Sequence, residues 1–250
     1  MVGAAPAAWP VYKLFDQIDR YIVSYMLIHN YYCWRNAGGP APTLSALQRI
    51  VGTSARHTAG LVAAMKIGHL ILSERPTDDR RIQHLRPAPA MVREIGRSVL
   101  LFVAAADEIE GHPGNRMLED VSALGDLLHR SAAYVLRHGT LIHPFPRIFH
   151  FAKRDCGYLI LTAVLDAHYR QAFPGEDAAA SLSYRALARR FQVSPAHIGN
   201  LLSEAEHHGW FATGPGGRLA AIDMALVTEF EQWASWQMIH YADLVRAKSA

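Results

Sequence analysis

Cysteine is almost missing from this chain. Cys33 and Cys156 are the only two in 250 residues, too few to staple a fold, and a reducing cytoplasmic compartment is the setting they imply. Charge is sparse as well: Asp, Glu, Lys and Arg make up 19%, and 25 Lys+Arg against 22 Asp+Glu leave a formal +3. Spread over this much surface, that balance names no polyanionic partner by itself. No uninterrupted apolar run reaches the roughly 18 residues that a membrane span needs. The opening, Met1 to Pro10, is rich in Ala and Pro but has neither the basic start nor the apolar core of a secretory signal, and it reads as a short flexible arm. No Gly-rich phosphate loop, nucleophile elbow or paired catalytic carboxylates can be found, so the sequence speaks against an enzyme and calls for no cofactor. Lysine occurs only at Lys13, Lys66, Lys153 and Lys248. The remaining basic residues are arginine, whose planar fork suits phosphates and base edges, although a GC-rich coding bias that also favours Ala explains the preference equally well.

What is present is 50% hydrophobic, ample for a core, in a chain long enough for that core to split in two. Internal similarity divides it. Tyr21–Tyr32 aligns without a gap on Tyr158–Tyr169, both apolar helices with tyrosine at each end. Downstream, Thr43–Leu47 falls on Ser183–Leu187, Ser54 on Ser194, and Leu61-Val62 on Leu201-Leu202, with Gly68 matched to Gly209 one position out of step. Each copy reads helix, loop, helix, turn, helix, glycine.

Thr43 and Ser183 are N-caps for a short helix, and Ser54 and Ser194 cap the next. In that second helix Thr58, Leu61, Val62 and Met65, and likewise Ile198, Leu201, Leu202 and Ala205, recur at three- and four-residue spacing. Gly68 and Gly209 are expected to end it in a left-handed conformation. The pattern is a helix-turn-helix, whose second helix can enter a DNA major groove. After Gly68, the stretch His69–Leu85 gives two short strands around a charged Pro-Thr-Asp-Asp turn, a hairpin of the kind called a wing. After Gly209, Trp210–Ile222 gives strand, Gly-Pro-Gly-Gly tip and strand, with Arg218 its single basic residue.

From Thr43 to Leu85 the chain resembles the MarR family of bacterial winged-helix regulators. Glu74-Arg-Pro-Thr-Asp-Asp-Arg-Arg-Ile-Gln-His-Leu85 is similar to that family's wing signature of Asp, Arg, Arg and a spaced Leu. The resemblance implies that Arg80 and Arg81 are wing arginines, at least one of them reaching a minor groove, that Asp78 or Asp79 holds the loop, and that Ser54–Ile67 is the recognition helix. It departs from the family at Leu85-Arg86-Pro87, where Leu-Thr is usual, and in carrying two such patterns in one chain.

Local charge agrees with this reading. Residues 43–97 hold nine Lys+Arg against four acids, +5, and residues 181–222 hold four against two, +2, which leaves about −4 elsewhere. The candidate DNA contacts are Ser54, Arg56 and His57 on the first recognition helix, with Arg56 suited to guanine. On the second they are Ser194, His197 and Asn200, with Asn200 suited to adenine. Arg75, Arg80, Arg81 and Arg218 belong to the wings. A solvated helix start and a salt-bridged turn are the plain alternatives for these positions.

The expected architecture is mainly α with small β-wings: a first winged-helix unit at 1–110 (wing about 70–85), a connecting or interface helix at 111–146, and a second unit at 147–250 with a C-terminal interface helix. Met91–Ile109, Arg116–Val135 and Asp223–Ala247 are the amphipathic helices outside the two modules. Through them the copies are expected to pack as a monomeric pseudo-dimer, with a homodimer as the other option. The 14 histidines, His143, His150, His207 and His208 among them, lack the Cys/His spacing of a zinc site. Both cysteines read as inert, and Tyr31, Tyr32 and Trp34 as core or interface aromatics in preference to an effector pocket. The leading reading is a cytoplasmic, nucleoid-associated transcriptional regulator bound to an imperfectly palindromic double-stranded DNA site, with no membrane partner. A plasmid-type replication initiator with duplicated winged helices and a protein-interaction scaffold stay open beside it.

Overall fold

The computed structural model describes residues 11–74, 82–111, 114–173 and 181–249. It is mainly helical, with two small antiparallel two-stranded sheets. In chain order the elements are α1 (Ile18–Ala37), α2 (Leu44–Ile50), α3 (Ala55–Ile67), β1 (Ile71–Glu74), β2 (His84–Pro87), α4 (Pro89–Glu110), α5 (Gly114–Met117), α6 (Val121–His138), α7 (Pro146–Ala152), α8 (Gly157–Ala172), α9 (Tyr184–Phe191), α10 (Pro195–His207), β3 (Phe211–Gly214), β4 (Arg218–Ile222) and α11 (Met224–Ser249). Among the described residues no helix is long and apolar enough to cross a membrane.

The chain folds as two compact units. Of the described residues, one comprises those of 11–141 with 234–249, the other those of 142–233. In the first, Leu27 and Ile28 of α1, Met91 and Ile95 of α4, and Leu124 and Leu128 of α6 are removed from solvent almost completely. Gly96 and Gly125 let these helices approach closely. A Cβ at Gly96 would press on Leu124, and one at Gly125 would overlap the Tyr32 ring. The helix expected to serve as a connector, α6, thus packs on α1 inside this unit. The amphipathic stretch that contains it is broken before Asp120, whose carboxylate accepts from the Ala123 N–H at 2.9 Å and starts α6 anew.

Two histidines cross-link the α1–α6 pair. The His29 and His129 rings stack with centroids 4.7 Å apart, and each Nδ1 bonds the other residue's backbone carbonyl, at 3.1 and 3.2 Å. Burial holds His29 below the ordinary imidazole value of 6.5, outweighing the opposing bond to the His129 carbonyl, and the neighbouring ring adds to the lowering. Burial also lowers His240, whose Nε2 lies 2.7 Å from Ser131 Oγ. For such groups the unfolded chain takes up protons before the folded one does. Stability is therefore complete above about pH 6.5 and declines as pH falls below it. A lower urea midpoint at about pH 5.5 than at about pH 7.5 is expected, and a midpoint that rises over that fall in pH would oppose this assignment.

In the second unit Ile148 and Phe151 of α7, Ile160 and Val164 of α8, Ile198 and Leu202 of α10 and Leu226 of α11 form the interior. The start of α7 has no side-chain cap of its own. The buried Glu229 carboxylate supplies one, accepting from the Arg147 and Ile148 N–H groups at 2.7 and 3.2 Å and from Arg147 Nη1 at 2.9 Å. A carboxylate there meets both the helix N-terminus and a guanidinium, which compensates its desolvation.

The internal repeat is carried by the backbone, and it runs further than residue types suggest. From the first caps to the hairpins, matched positions stay 140 apart, as Leu47 and Leu187 do. Gly68 corresponds to His208: both have ordinary right-handed φ near −76° and donate to the carbonyl four residues back. The left-handed residue is the next one, His69 (φ 55°) in the first copy and Gly209 (φ 69°) in the second. The expectation that Gly68 ends its helix in a left-handed conformation is corrected accordingly, because glycine was matched to glycine when the turn geometry matches it to histidine. After the hairpins, Ala88 and Asp223 each donate to the residue that opens the hairpin, Leu70 and Trp210, both at 2.8 Å, and each begins a long helix. In this way α4 and α11 are counterparts, at a separation of 135 because the second hairpin is shorter.

Candidate nucleic-acid interface

Both modules are built by caps. Thr43 Oγ1 accepts from Ala46 N–H at 3.2 Å and Ser54 Oγ from His57 N–H at 3.2 Å. Ser183 and Ser194 repeat this with Ala186 and His197, at 3.4 and 3.1 Å. Each cap satisfies an amide that the helix leaves unbonded, worth about 1 kcal/mol. The hydroxyls of Ser54 and Ser194 are thus engaged as acceptors, and each keeps its O–H as a donor.

In the first unit α3 turns Thr58, Leu61, Val62 and Met65 inward. Its exposed side begins with Arg56 and His57 and continues through Gly60 and Ala63 to Ile67, which is 81% exposed. Ser54, Arg56, His57 and Gly60, with the edge of Leu61, surround a shallow depression on that side. Arg56 has no acidic partner among the described residues. Past the first turn this side of the helix carries Gly60, Ala63 and Ile67, whose side chains neither donate nor accept hydrogen bonds, so any hydrogen-bonded reading must come from its first turn.

The adjoining hairpin pairs Leu72 with Arg86 and Glu74 with His84, and Arg86 Nη1 meets Glu74 Oε1 at 2.7 Å. Lys66 Nζ reaches Gln83 Oε1 at 3.0 Å, linking α3 to the hairpin. The sheet is tied to the start of the module where Leu85 N–H donates to Pro42 O at 2.7 Å. Arg75, Arg80 and Arg81, with Asp78 and Asp79, lie outside the described residues.

The second module shares the scaffold but presents different chemistry. Asn200 is exposed on α10 at the place of Gly60, and Ala196 stands where the first copy has Arg56. His197 is committed to the fold, with Nε2 2.8 Å from the Asp155 carbonyl. A ring nitrogen bonded to backbone is not free to read a base edge, and this sets His197 apart from the exposed His57. The two acids of α10 are also engaged: Glu204 accepts from Arg154 Nη2 at 2.6 and 2.9 Å, and Glu206 Oε1 accepts from Thr213 N–H and Oγ1 at 2.9 and 3.0 Å.

The tip of the second hairpin folds back on the module. Ser181 Oγ donates to Gly216 O at 2.9 Å and Leu182 N–H to Gly217 O at 2.7 Å. Gly217 has φ 73°, and a Cβ on it would overlap the Ser183 backbone, so the glycines of the tip are what allow this docking. Arg218, just beyond the tip, is exposed. Of the residues that sequence reasoning selected on α3 and α10, Ser54, Arg56 and His57 share one exposed surface, Asn200 is exposed, and His197 is turned to structural use. The exposed Arg49 and Arg189, on the first helix of each module, were counted there only as charge. Comparison of the chain with protein-family models, with curated proteins and with solved structures found no match.

Proposed function

We propose that this chain is a sequence-specific double-stranded DNA-binding protein of the transcriptional-regulator type, built from two winged helix-turn-helix modules of MarR-like kind. The observation that carries the reading is the same construction made twice. A side-chain-capped helix exposes its first turn to solvent, a short helix braces it from behind, and an antiparallel hairpin follows. This is the arrangement by which a recognition helix enters a major groove while its hairpin lies along the backbone or in the minor groove. The positive charge concentrated on residues 43–97 is what phosphate neutralisation requires.

In this reading Arg56 donates two hydrogen bonds to a guanine edge and His57 contacts the neighbouring step, while Asn200 addresses adenine. Ser54 and Ser194 hold the helix starts and offer their O–H groups to the backbone. Arg80 and Arg81, with Arg75, supply wing contacts to the minor groove. The action is exerted inside the cell on chromosomal or plasmid DNA.

The test is a fluorescence-anisotropy titration of the full chain against a random-sequence duplex at several salt concentrations. Binding at low salt that weakens steeply as salt rises is the expected result. Absence of binding at low salt removes the reading.

A further inference from the structure

The two modules have diverged so far that few positions between the first cap and the hairpin keep the same residue. Those that do are Ala46 and Ala186, Leu47 and Leu187, Arg49 and Arg189, Ser54 and Ser194, His57 and His197, and Leu61 and Leu201. The fold accounts for most of them. The leucines are core residues, the alanines lie against the same packed helix side, and the serines are caps. The histidines share a residue type but not a setting, since His197 is half-buried and bonds the Asp155 carbonyl whereas His57 is exposed. Arg49 and Arg189 are different: both are exposed, and neither has an acidic partner or ring contact among the described residues. They occupy the same place, in the last turn of the first helix of the module.

Their neighbours show how particular this identity is. Arg185 of the second copy stands opposite Ser45, and Arg190, half-buried over the Phe191 ring at 5.2 Å, stands opposite Ile50. Arg56 stands opposite Ala196 and Lys66 opposite Glu206. Every other lysine and arginine in α2, α3, α9 and α10 is thus specific to one copy.

We propose that Arg49 and Arg189 are equivalent anchors, each holding one DNA phosphate from the first helix of its module. This inference rests on the DNA-binding reading above and adds to it a division of labour. In a helix-turn-helix the first helix crosses the backbone while the second reads bases, and phosphate contacts fix the register of a module without carrying sequence information. The residue shared by both modules is therefore the one that positions them. The residues that differ, Arg56 against Ala196 and Gly60 against Asn200, are those that read.

An arginine in a last helical turn also favours the helix dipole, and that effect alone would give the two residues a minor part in stability and none in binding. The experiment separates these. The full chain, Arg49→Ala, Arg189→Ala, the double variant and Arg49→Lys/Arg189→Lys are titrated against a fixed duplex over a range of salt, with urea midpoints measured alongside. Each alanine should lower the slope of log K against log salt by about 0.9, and the double variant by about twice that. The lysine pair should keep the wild-type slope, and preference among duplex sequences should not change in any variant. Wild-type binding with an unaltered slope in the double variant overturns the anchors and leaves the DNA reading standing. If the wild-type chain binds no duplex at low salt, the reading and the anchors fall together.

Discussion

Replacing Gly157 by alanine should destabilise the protein by about 3 kcal/mol, the upper end of what forced overpacking costs. Gly157 is the first residue of α8, and the chain arrives there from α7 through Cys156, which sits in the left-handed region with φ 54°. A Cβ at Gly157 would overlap the carbonyl oxygen of Phe151 and lie 2.8 Å from Arg154 Cβ. The obstructing group is backbone at the end of a helix whose Phe151 side chain is fully buried. It cannot swing aside as a side chain would, and relief requires α8 to move away from α7. Gly60→Ala provides the contrast, since nothing lies within 4 Å of the added Cβ. In an exposed helix interior that change removes unfolded-state freedom and should stabilise by about 1 kcal/mol. Urea unfolding of both variants checks the pair. A Gly157→Ala midpoint equal to that of the wild type would show the α7–α8 corner to be looser than described.

Replacing Arg56 by alanine should weaken binding to the preferred duplex by about 10- to 100-fold and erase the preference for one base pair, the size expected for loss of a bidentate guanine contact. Beyond its first turn the outward side of α3 offers Gly60, Ala63 and Ile67, none of which donates or accepts a side-chain hydrogen bond. Arg56 is exposed and has no acidic partner among the described residues, so it meets DNA without first breaking an ion pair. The effect should be confined to one part of the site, because the second module has Ala196 at this place. Affinity across a panel of single-base variants of the duplex distinguishes this from a phosphate contact. A uniform loss on every sequence would move Arg56 from reading to anchoring.

Much of this organisation is legible in the sequence because caps and core spacing are local signals. Thr43, Ser54, Ser183 and Ser194 each sit just before an apolar run, and each caps the helix expected of it. The hairpins announce themselves by turn residues between short apolar stretches. What escaped depends on contacts distant in sequence or on backbone conformation. His197 is taken out of the reading set by a carbonyl 42 positions away. Gly68 departs from expectation because a glycine near a helix end suggests a left-handed residue, whereas here His69 adopts that conformation. The correspondence of α4 with α11 was hidden by the unequal hairpins, which shift the register from 140 to 135. Arg49 and Arg189 went unselected because a basic residue on a polar helix face is ordinary. It becomes informative only once the register is known and most of the neighbouring identities are seen to serve packing or capping.

If each unit presents a DNA-reading helix, as proposed, the two should read differently from a common scaffold. Selection of bound duplexes from a random-sequence library, carried out at low salt with the full chain and with Arg56→Ala, tests it most directly. The expected result is one enriched sequence for the wild type, with a guanine position that loses its enrichment in the variant while the remainder of the sequence is kept. A wild-type pool that emerges no different from the starting library would contradict it.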